Sequence, residues 1–149
     1  MFGRLRNLQK RAAGEGGFTL VEILVVIAII ALIMSLVGPR VLNYLAESKV
    51  KAARIQIQSF ASALDLFNLD TGRYPTSSEG LTALVRNPGN ITAWNGPYLK
   101  SAAVPDDPWG NKYIYRSPGE HGAYDIISYG SDGHEGGDGT AADITSWSR

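Results

Sequence analysis

The chain has 149 residues, enough for one modest domain and an accessory segment. Charged residues make up 19 %, below the roughly 25 % usual for soluble domains, and fourteen Lys and Arg balance fourteen Asp and Glu. Net charge therefore points to neither nucleic acid nor an acidic partner, and the absence of cysteine excludes disulfides and thiolate chemistry.

The balance hides an asymmetry. Arg4, Arg6, Lys10 and Arg11 against Glu15 give the first 17 residues a charge of +3, leaving −3 on the rest. This basic stretch precedes residues 18–37, FTLVEILVVIAIIALIMSLV, in which Glu22 is the one charge among twenty positions. As a helix the segment spans about 30 Å, the thickness of a bilayer core. The residues that follow are too few to cover such a rod on all sides, which disfavours a buried helix of a soluble protein. The basic flank predicts that the N-terminus faces the cytoplasm and the C-terminal domain lies across the membrane.

Pro39 lacks an N–H and clashes with the preceding turn, so a kink or local melting is expected there, not necessarily a stop. Beyond it Val50, Ala53, Ile57, Phe60, Leu64 and Phe67 recur at spacings of three and four, a single apolar stripe. Lys49, Lys51, Arg54, Gln56 and Gln58 lie largely off the stripe. The helix is expected to leave the membrane, become amphipathic and bury one face on its own domain. A coiled coil is disfavoured, because the stripe is short and lacks regular flanking charges. Gly72 supplies a C-terminal stop after Asp70-Thr71, and Pro75 prevents resumption.

Short elements follow. Ser78–Val85 reads as a small helix closed by Asn87-Pro88-Gly89. Lys112–Arg116 and Ala123–Tyr129 read as strands joined by the turn Ser117-Pro118-Gly119-Glu120-His121-Gly122, a β-hairpin. A third short strand is expected near Ile144–Trp147.

The N-terminal pattern carries most of the functional information. A secretory signal would be cut after its apolar region, yet nothing of the A-x-A kind follows Val37, so the apolar segment should be retained. The change of chemical character falls at Gly17, where a missing side chain lets a protease approach the backbone. Gly17-Phe18-Thr19-Leu20-Val21-Glu22 before an apolar helix resembles the class III signal of type IV pilins and pseudopilins. The resemblance implies cleavage between Gly17 and Phe18 by a prepilin peptidase, then N-methylation of Phe18. It divides the chain into a leader (1–17), a transmembrane half-helix (18–38), an amphipathic half-helix (39–71) and a periplasmic globular region (72–149).

A carboxylate in a hydrocarbon core is costly unless paired or neutralised, which singles out Glu22. The α-amino group freed at Phe18 could meet it within one chain, four residues apart on a helix, or, in the family's filament, from a neighbouring subunit. Pairing between subunits would select an axial register. The plainer reading is a charge snorkelling to the interface.

Later motifs narrow the resemblance. Asp70–Thr76, Gly80–Val85, Gly96–Lys100, Asp107-Pro108-Trp109-Gly110-Asn111 and Ser117–Gly122 are similar, in the same order, to major pseudopilins of type II secretion. The fold so implied is α+β and pilin-like: a long N-terminal helix, transmembrane then amphipathic, packed on a small antiparallel sheet. The implied function is the major structural subunit of a pseudopilus that drives export of folded proteins across the outer membrane. Its implied partners are copies of itself in a helical homopolymer, prepilin peptidase, minor pseudopilins and an inner-membrane assembly platform. A type IV pilin of a surface fibre and a minor tip pseudopilin are the alternatives.

Residues 129–143 form a glycine-rich, acidic stretch that matches neither an EF-hand nor a complete nonapeptide repeat. By the same resemblance a structural calcium ion is expected here, with Asp132 and Asp143 as acidic ligands and the Tyr129 carbonyl as a further one. Ala141-Ala142 departs from relatives that carry an acidic residue, so either one ligand is missing or Asp138 replaces it. On spacing alone, a solvated loop with Asp143 capping a turn is favoured. No catalytic motif accompanies His121 or His134, so no enzymatic activity is expected.

Overall fold

The computed structural model describes residues 17–148. The basic cluster of the segment expected to be a leader lies outside them. The elements are α1 (Leu20–Thr71), a 3₁₀ turn (Leu81–Leu84), β1 (Ile114–Arg116), β2 (Asp125–Ser128), a second 3₁₀ turn (Gly139–Ala141) and β3 (Ile144–Thr145). Packing divides the chain into two units, one ending at Arg40 and one running from Val41.

In the first unit α1 is long and apolar enough to cross a membrane, and none of its apolar window is buried among the described residues. The hydroxyl of Ser35 donates to the Leu32 carbonyl at 2.8 Å, so this polar atom is satisfied within the helix itself, as hydrocarbon requires. Pro39 sits inside α1 without interrupting it, and the local melting anticipated there is absent. Proline removes one donor, and the remaining helical bonds on either side suffice to carry the helix through.

The second unit is organised on one face of α1. Ala53, Ile57, Phe60, Ala63, Leu64 and Phe67 are buried, with Val50 packed at the edge of the same cluster. This is the stripe read from the sequence, widened by Ala63. Against it pack Leu81, Leu84, Tyr113, Ile126 and Ile144. Phe60 meets the edge of the Tyr113 ring at 5.0 Å between centroids, and Phe67 meets Tyr98 at 5.7 Å. Such edge-to-face pairs add to the area term about 0.5–1.5 kcal/mol each. Gly72 ends α1 with φ of +75°, donating its amide to the Asn68 carbonyl at 2.8 Å.

The sheet is antiparallel, in the order β1-β2-β3, with Tyr115 opposite Ile126 and Ser128 opposite Ile144. Its strands are shorter than the alternation suggests. β1 lacks the expected Lys112 and Tyr113, and β2 lacks Ala123, Tyr124 and Tyr129. Beyond β1 the Ser117 amide donates to Ser77 Oγ at 2.8 Å, and Gly130, at φ +64°, turns the chain after β2. The hairpin turn folds onto the buried Asp125, whose Oδ2 accepts the Glu120 amide at 2.8 Å and faces His121 Nδ1 at 3.1 Å. Burial is the largest single effect and pushes the Asp125 carboxyl up, but these donors together outweigh it and hold the group below its ordinary range.

The helix expected over Ser78–Val85 is replaced by a turn and the four-residue 3₁₀ segment Leu81–Leu84. Gly80 lies at φ +61°, which breaks the helical path before it can propagate. Glu79 is committed elsewhere. Its carboxylate receives a two-pronged bond from Arg73, Nη1 to Oε2 and Nη2 to Oε1, each 2.7 Å, and accepts the Thr76 amide at 2.7 Å. The Arg73 bond, with the Thr76 amide, pulls the Glu79 pKa from 4.5 to about 2.

Because the folded pKa is depressed, the contribution of Glu79 is complete above pH about 4.5 and disappears as pH falls towards 2. Glu79→Gln is expected to lose about 1 kcal/mol at neutral pH, a modest figure because Arg73 is partly solvated. The difference from wild type should close between pH 4.5 and 2, read by urea unfolding followed through tryptophan fluorescence.

Candidate functional site

Gly17 and Phe18 precede the helix and are exposed, and nothing approaches the Gly17 Cα on the side where a side chain would stand. Glu22 lies in the first turn of α1. Its Oε2 accepts the Thr19 amide at 3.0 Å and the Thr19 hydroxyl at 3.1 Å, while the Glu22 amide donates back to Thr19 Oγ1 at 3.2 Å. This is a capping box, with Thr19 as N-cap and Glu22 three residues on. The T-x-x-E pattern before the apolar run signals it in the sequence, a role that the charge-pairing reading of Glu22 overlooked. One oxygen carries both bonds. Among the described residues Oε1 has no recorded partner and remains able to accept a cation.

The opposite side of α1 in the second unit holds a feature of equal weight. Val41, Leu45, Ser48, Ala52, Ile55, Ser59, Ser62, Leu66 and Leu69 recur at alternating spacings of four and three and carry no charge. Leu45, Ile55, Leu66 and Leu69 are each more than half exposed, and Leu69 reaches 78 %. Ser48 and Ser62 turn their hydroxyls back to the Tyr44 and Gln58 carbonyls at 2.8 and 3.1 Å, so both polar groups could be covered without loss of a hydrogen bond. Among the described residues none buries this second stripe, although Ser48 is partly shielded. Sequence periodicity could have revealed it, because the stripe is as regular as the core stripe.

The glycine-rich segment begins where β2 ends. Tyr129 is half-buried there, Asp132 and Asp138 are exposed, and Asp143 is half-buried just before β3. Asp132 Oδ1 accepts the His134 amide at 3.1 Å, and both oxygens of Asp143 lie 3.1 Å from the Gly136 amide. Asp138 directly precedes the second 3₁₀ turn without a side-chain bond to it. Among the described residues no three acidic or histidine side chains converge on one point, so the four expected ligands are not gathered into a carboxylate cluster.

The donor set still suits a hard cation. Every atom type involved is a carboxylate or carbonyl oxygen, and each carboxylate keeps lone pairs beyond those already used. Carbonyls crowd the inside of the turn: a Cβ on Gly130 would stand 2.8 Å from the Thr140 oxygen and 2.9 Å from that of Ala142. One on Gly137 would stand 2.6 Å from the Ala141 oxygen. No Lys or Arg occurs between Arg116 and Arg149, so the local negative charge has no fixed counterion in the segment.

A long apolar-headed helix, half packed on a three-stranded antiparallel sheet, defines a pilin-like protein. Two family descriptions match it: "Type II secretion system (T2SS), protein G" over residues 40–147 and "Prokaryotic N-terminal methylation motif" over residues 13–38. The type II secretion system core protein G of Vibrio cholerae is 42 % identical over 141 residues, covering 93 % of this chain and 95 % of that one. The Pseudomonas aeruginosa core protein G is 44 % identical over 137 residues, covering 89 % and 95 % respectively. The crystal structure of the major pseudopilin from the type 2 secretion system of enterohaemorrhagic Escherichia coli superposes with a TM-score of 0.54 at 32 % identity, covering 68 % of this chain and 88 % of that one. The chain belongs to the type II secretion system protein G family.

Removing the cap oxygen should loosen only the first turn of α1. In Thr19→Ala the Glu22 amide is expected to exchange with solvent deuterium roughly fivefold to tenfold faster, with amides from Ala53 to Phe67 unchanged, measured on detergent-solubilised protein.

Proposed function

We propose that the chain is the repeating subunit of a type II secretion pseudopilus, and the second stripe of α1 is the observation that carries this reading. An uncharged, exposed stripe with internally satisfied serines is suited to burial against other copies, and continuous patches of this kind on a solitary protein are uncommon. In the assembled fibre the apolar first unit exchanges lipid contact for contact with neighbouring helices. The major-subunit role fits better than a tip role, because both sides of α1 outside the membrane are furnished for packing, one by its own domain and one by its neighbours.

In this reading a prepilin peptidase cuts between Gly17 and Phe18 on the cytoplasmic side, and Phe18 is then N-methylated. The subunit waits in the inner membrane with its C-terminal domain in the periplasm, and the assembly platform adds it to a fibre begun by minor pseudopilins. Growth of that fibre drives folded proteins through the outer membrane. Glu22 then has two tasks. Through Oε2 it caps its own helix, and through Oε1 it accepts the Phe18 amino group of a neighbour. An axial slip would leave that charge unpaired among apolar side chains, which selects one register.

A calcium ion completes the periplasmic domain. Asp132, Asp143 and the Tyr129 carbonyl would hold it, with Asp138 standing in for the acidic group absent at Ala141. Because the carboxylates are spread along the loop, backbone carbonyls supply much of the coordination. The ion would balance the local negative charge and brace a segment that has neither a disulfide nor a large core.

Purified fibres should yield a subunit that begins with N-methylated Phe18 by mass spectrometry. Ile55→Glu and Glu22→Gln should each abolish fibre formation while the protein still accumulates in the membrane. Normal fibres from both variants would refute the assembly mechanism. For the ion, a calcium chelator should lower the melting temperature of the wild-type chain by roughly 5 °C or more, and calcium but not magnesium should restore it. An unchanged melting temperature would refute the calcium site.

A further inference from the structure

The turn Asp107–Asn111 lies more than fifteen positions before the glycine-rich loop in sequence, yet it holds the point where that loop begins. Asp107 is 4 % exposed, and among the described residues it forms no ion pair. Its charge is satisfied by three donors. Oδ1 accepts the amides of Trp109 at 3.0 Å and Asn111 at 2.8 Å, and Oδ2 accepts the hydroxyl of Ser128 at 2.7 Å. The first two bonds make the turn rigid, together with the Asp107 amide on the Asn111 carbonyl at 2.8 Å. The third reaches across to the last residue of β2.

The contacts continue into the loop. Ser128 Oγ, while donating to Asp107, accepts the Gly130 amide at 3.3 Å. Asn111 Nδ2 donates to the Gly130 carbonyl at 3.4 Å and would stand 3.3 Å from a Cβ on Gly133. Both backbone polar groups of Gly130 are thus held by one buried polar chain that starts at Asp107. Gly130 is also the residue against which the Thr140 and Ala142 carbonyls close, and the neighbouring Ser131 amide donates to Thr140 at 3.0 Å. Fixing Gly130 therefore fixes where the far arm of the loop can land.

We propose that Asp107 and Asn111 are positioning residues that pre-form the mouth of the 129–143 loop, so that the loop is closed at its base before any ion binds. The role is geometric, not one of charge. An asparagine at 107 could accept both turn amides through its oxygen, while its NH₂ group donates to a reversed Ser128 hydroxyl, so the polar chain would survive. An alanine would leave the Trp109 and Asn111 amides and the Ser128 hydroxyl without their buried acceptor. Only the ion-affinity part of the proposal rests on the calcium reading above. There, a loop held in place loses less freedom on binding, so calcium affinity should follow loop order.

The test is hydrogen–deuterium exchange on the full chain in detergent, first in chelator and then across a calcium titration. In chelator, Asp107→Ala should speed exchange at the Ser131 and Gly136 amides roughly tenfold, while the α1 amides from Ala53 to Phe67 keep their protection. Asp107→Asn should stay within about threefold of wild type at the same amides. Asn111→Ala, a milder change that leaves the Asp107 carboxylate in place, should speed the Ser131 amide several-fold, so the proposal can be judged even if Asp107→Ala does not fold. With calcium, Asp107→Ala should need roughly tenfold more ion for half-maximal loop protection than wild type or Asp107→Asn.

Wild-type exchange in the loop of Asn111→Ala, or equal damage from Asp107→Asn and Asp107→Ala, would overturn the proposal. So would a parallel loss of protection in α1, which would make Asp107 a general stability residue. A wild-type loop indifferent to calcium would sink the ion site alone, because the chelator measurements judge the positioning role without it.

Discussion

Everything in the second unit depends on α1 burying one side and leaving the other bare. Phe60, Leu64 and Phe67 are at most 1 % exposed beneath Leu84 and Ile126, whereas Ile55, Leu66 and Leu69 stand in solvent along the same helix. A helix covered on both sides would be the core of an ordinary globular domain. One covered on neither would gain too little from its own chain to stay ordered, because tertiary packing supplies most helical stability. The half-covered arrangement gives the unit a core of its own and leaves apolar surface exposed along the same helix.

That arrangement leaves a small domain with few strands and no disulfide, and polar chemistry does much of the remaining work of joining its parts. Asp70 holds Tyr98, Gln56 holds Tyr113, and the Pro75 carbonyl holds Tyr115. Each of these tyrosines places its ring in or beside the core and its hydroxyl on a segment distant in sequence, a use that suits a side chain apolar in body and polar at its tip. The carboxylates of Asp107, Asp125 and Glu79 act similarly, each joining at least one backbone amide of a nearby turn to a side-chain partner. The loops are therefore tied to the sheet and to one another by groups that would be costly to bury unpaired.

The same economy governs the two ends of the functional surface. At the N-terminus Glu22 caps α1 through one oxygen, and among the described residues the other is left with acceptor capacity. In the 129–143 loop Asp132 and Asp143 organise turns through backbone amides and retain acceptor capacity for an ion. In both places an acidic side chain is locally satisfied and still incomplete. Local bonding sets its direction, and a partner from outside would complete it.

Periodicity and composition alone settled the apolar span, the core stripe from Ala53 to Phe67, the stop at Gly72 and the hairpin leading to β3, because each is a local pattern of apolar spacing or turn residues. The capping box and the second stripe are equally local patterns, T-x-x-E before the apolar run and an uncharged repeat at spacings of four and three. The 3₁₀ segment at Leu81–Leu84, the fork from Arg73 to Glu79 and the chain from Asp107 through Ser128 to Gly130 were decided only by tertiary structure. The 3₁₀ segment turns on the backbone angle Gly80 adopts, and the members of the other two are separated along the sequence with no fixed spacing. A hydrogen bond between residues 21 positions apart, such as Asp107 and Ser128, leaves no periodic trace. It exists because burial removes water as the competing partner, and that happens only once the sheet, the turn and the helix have met.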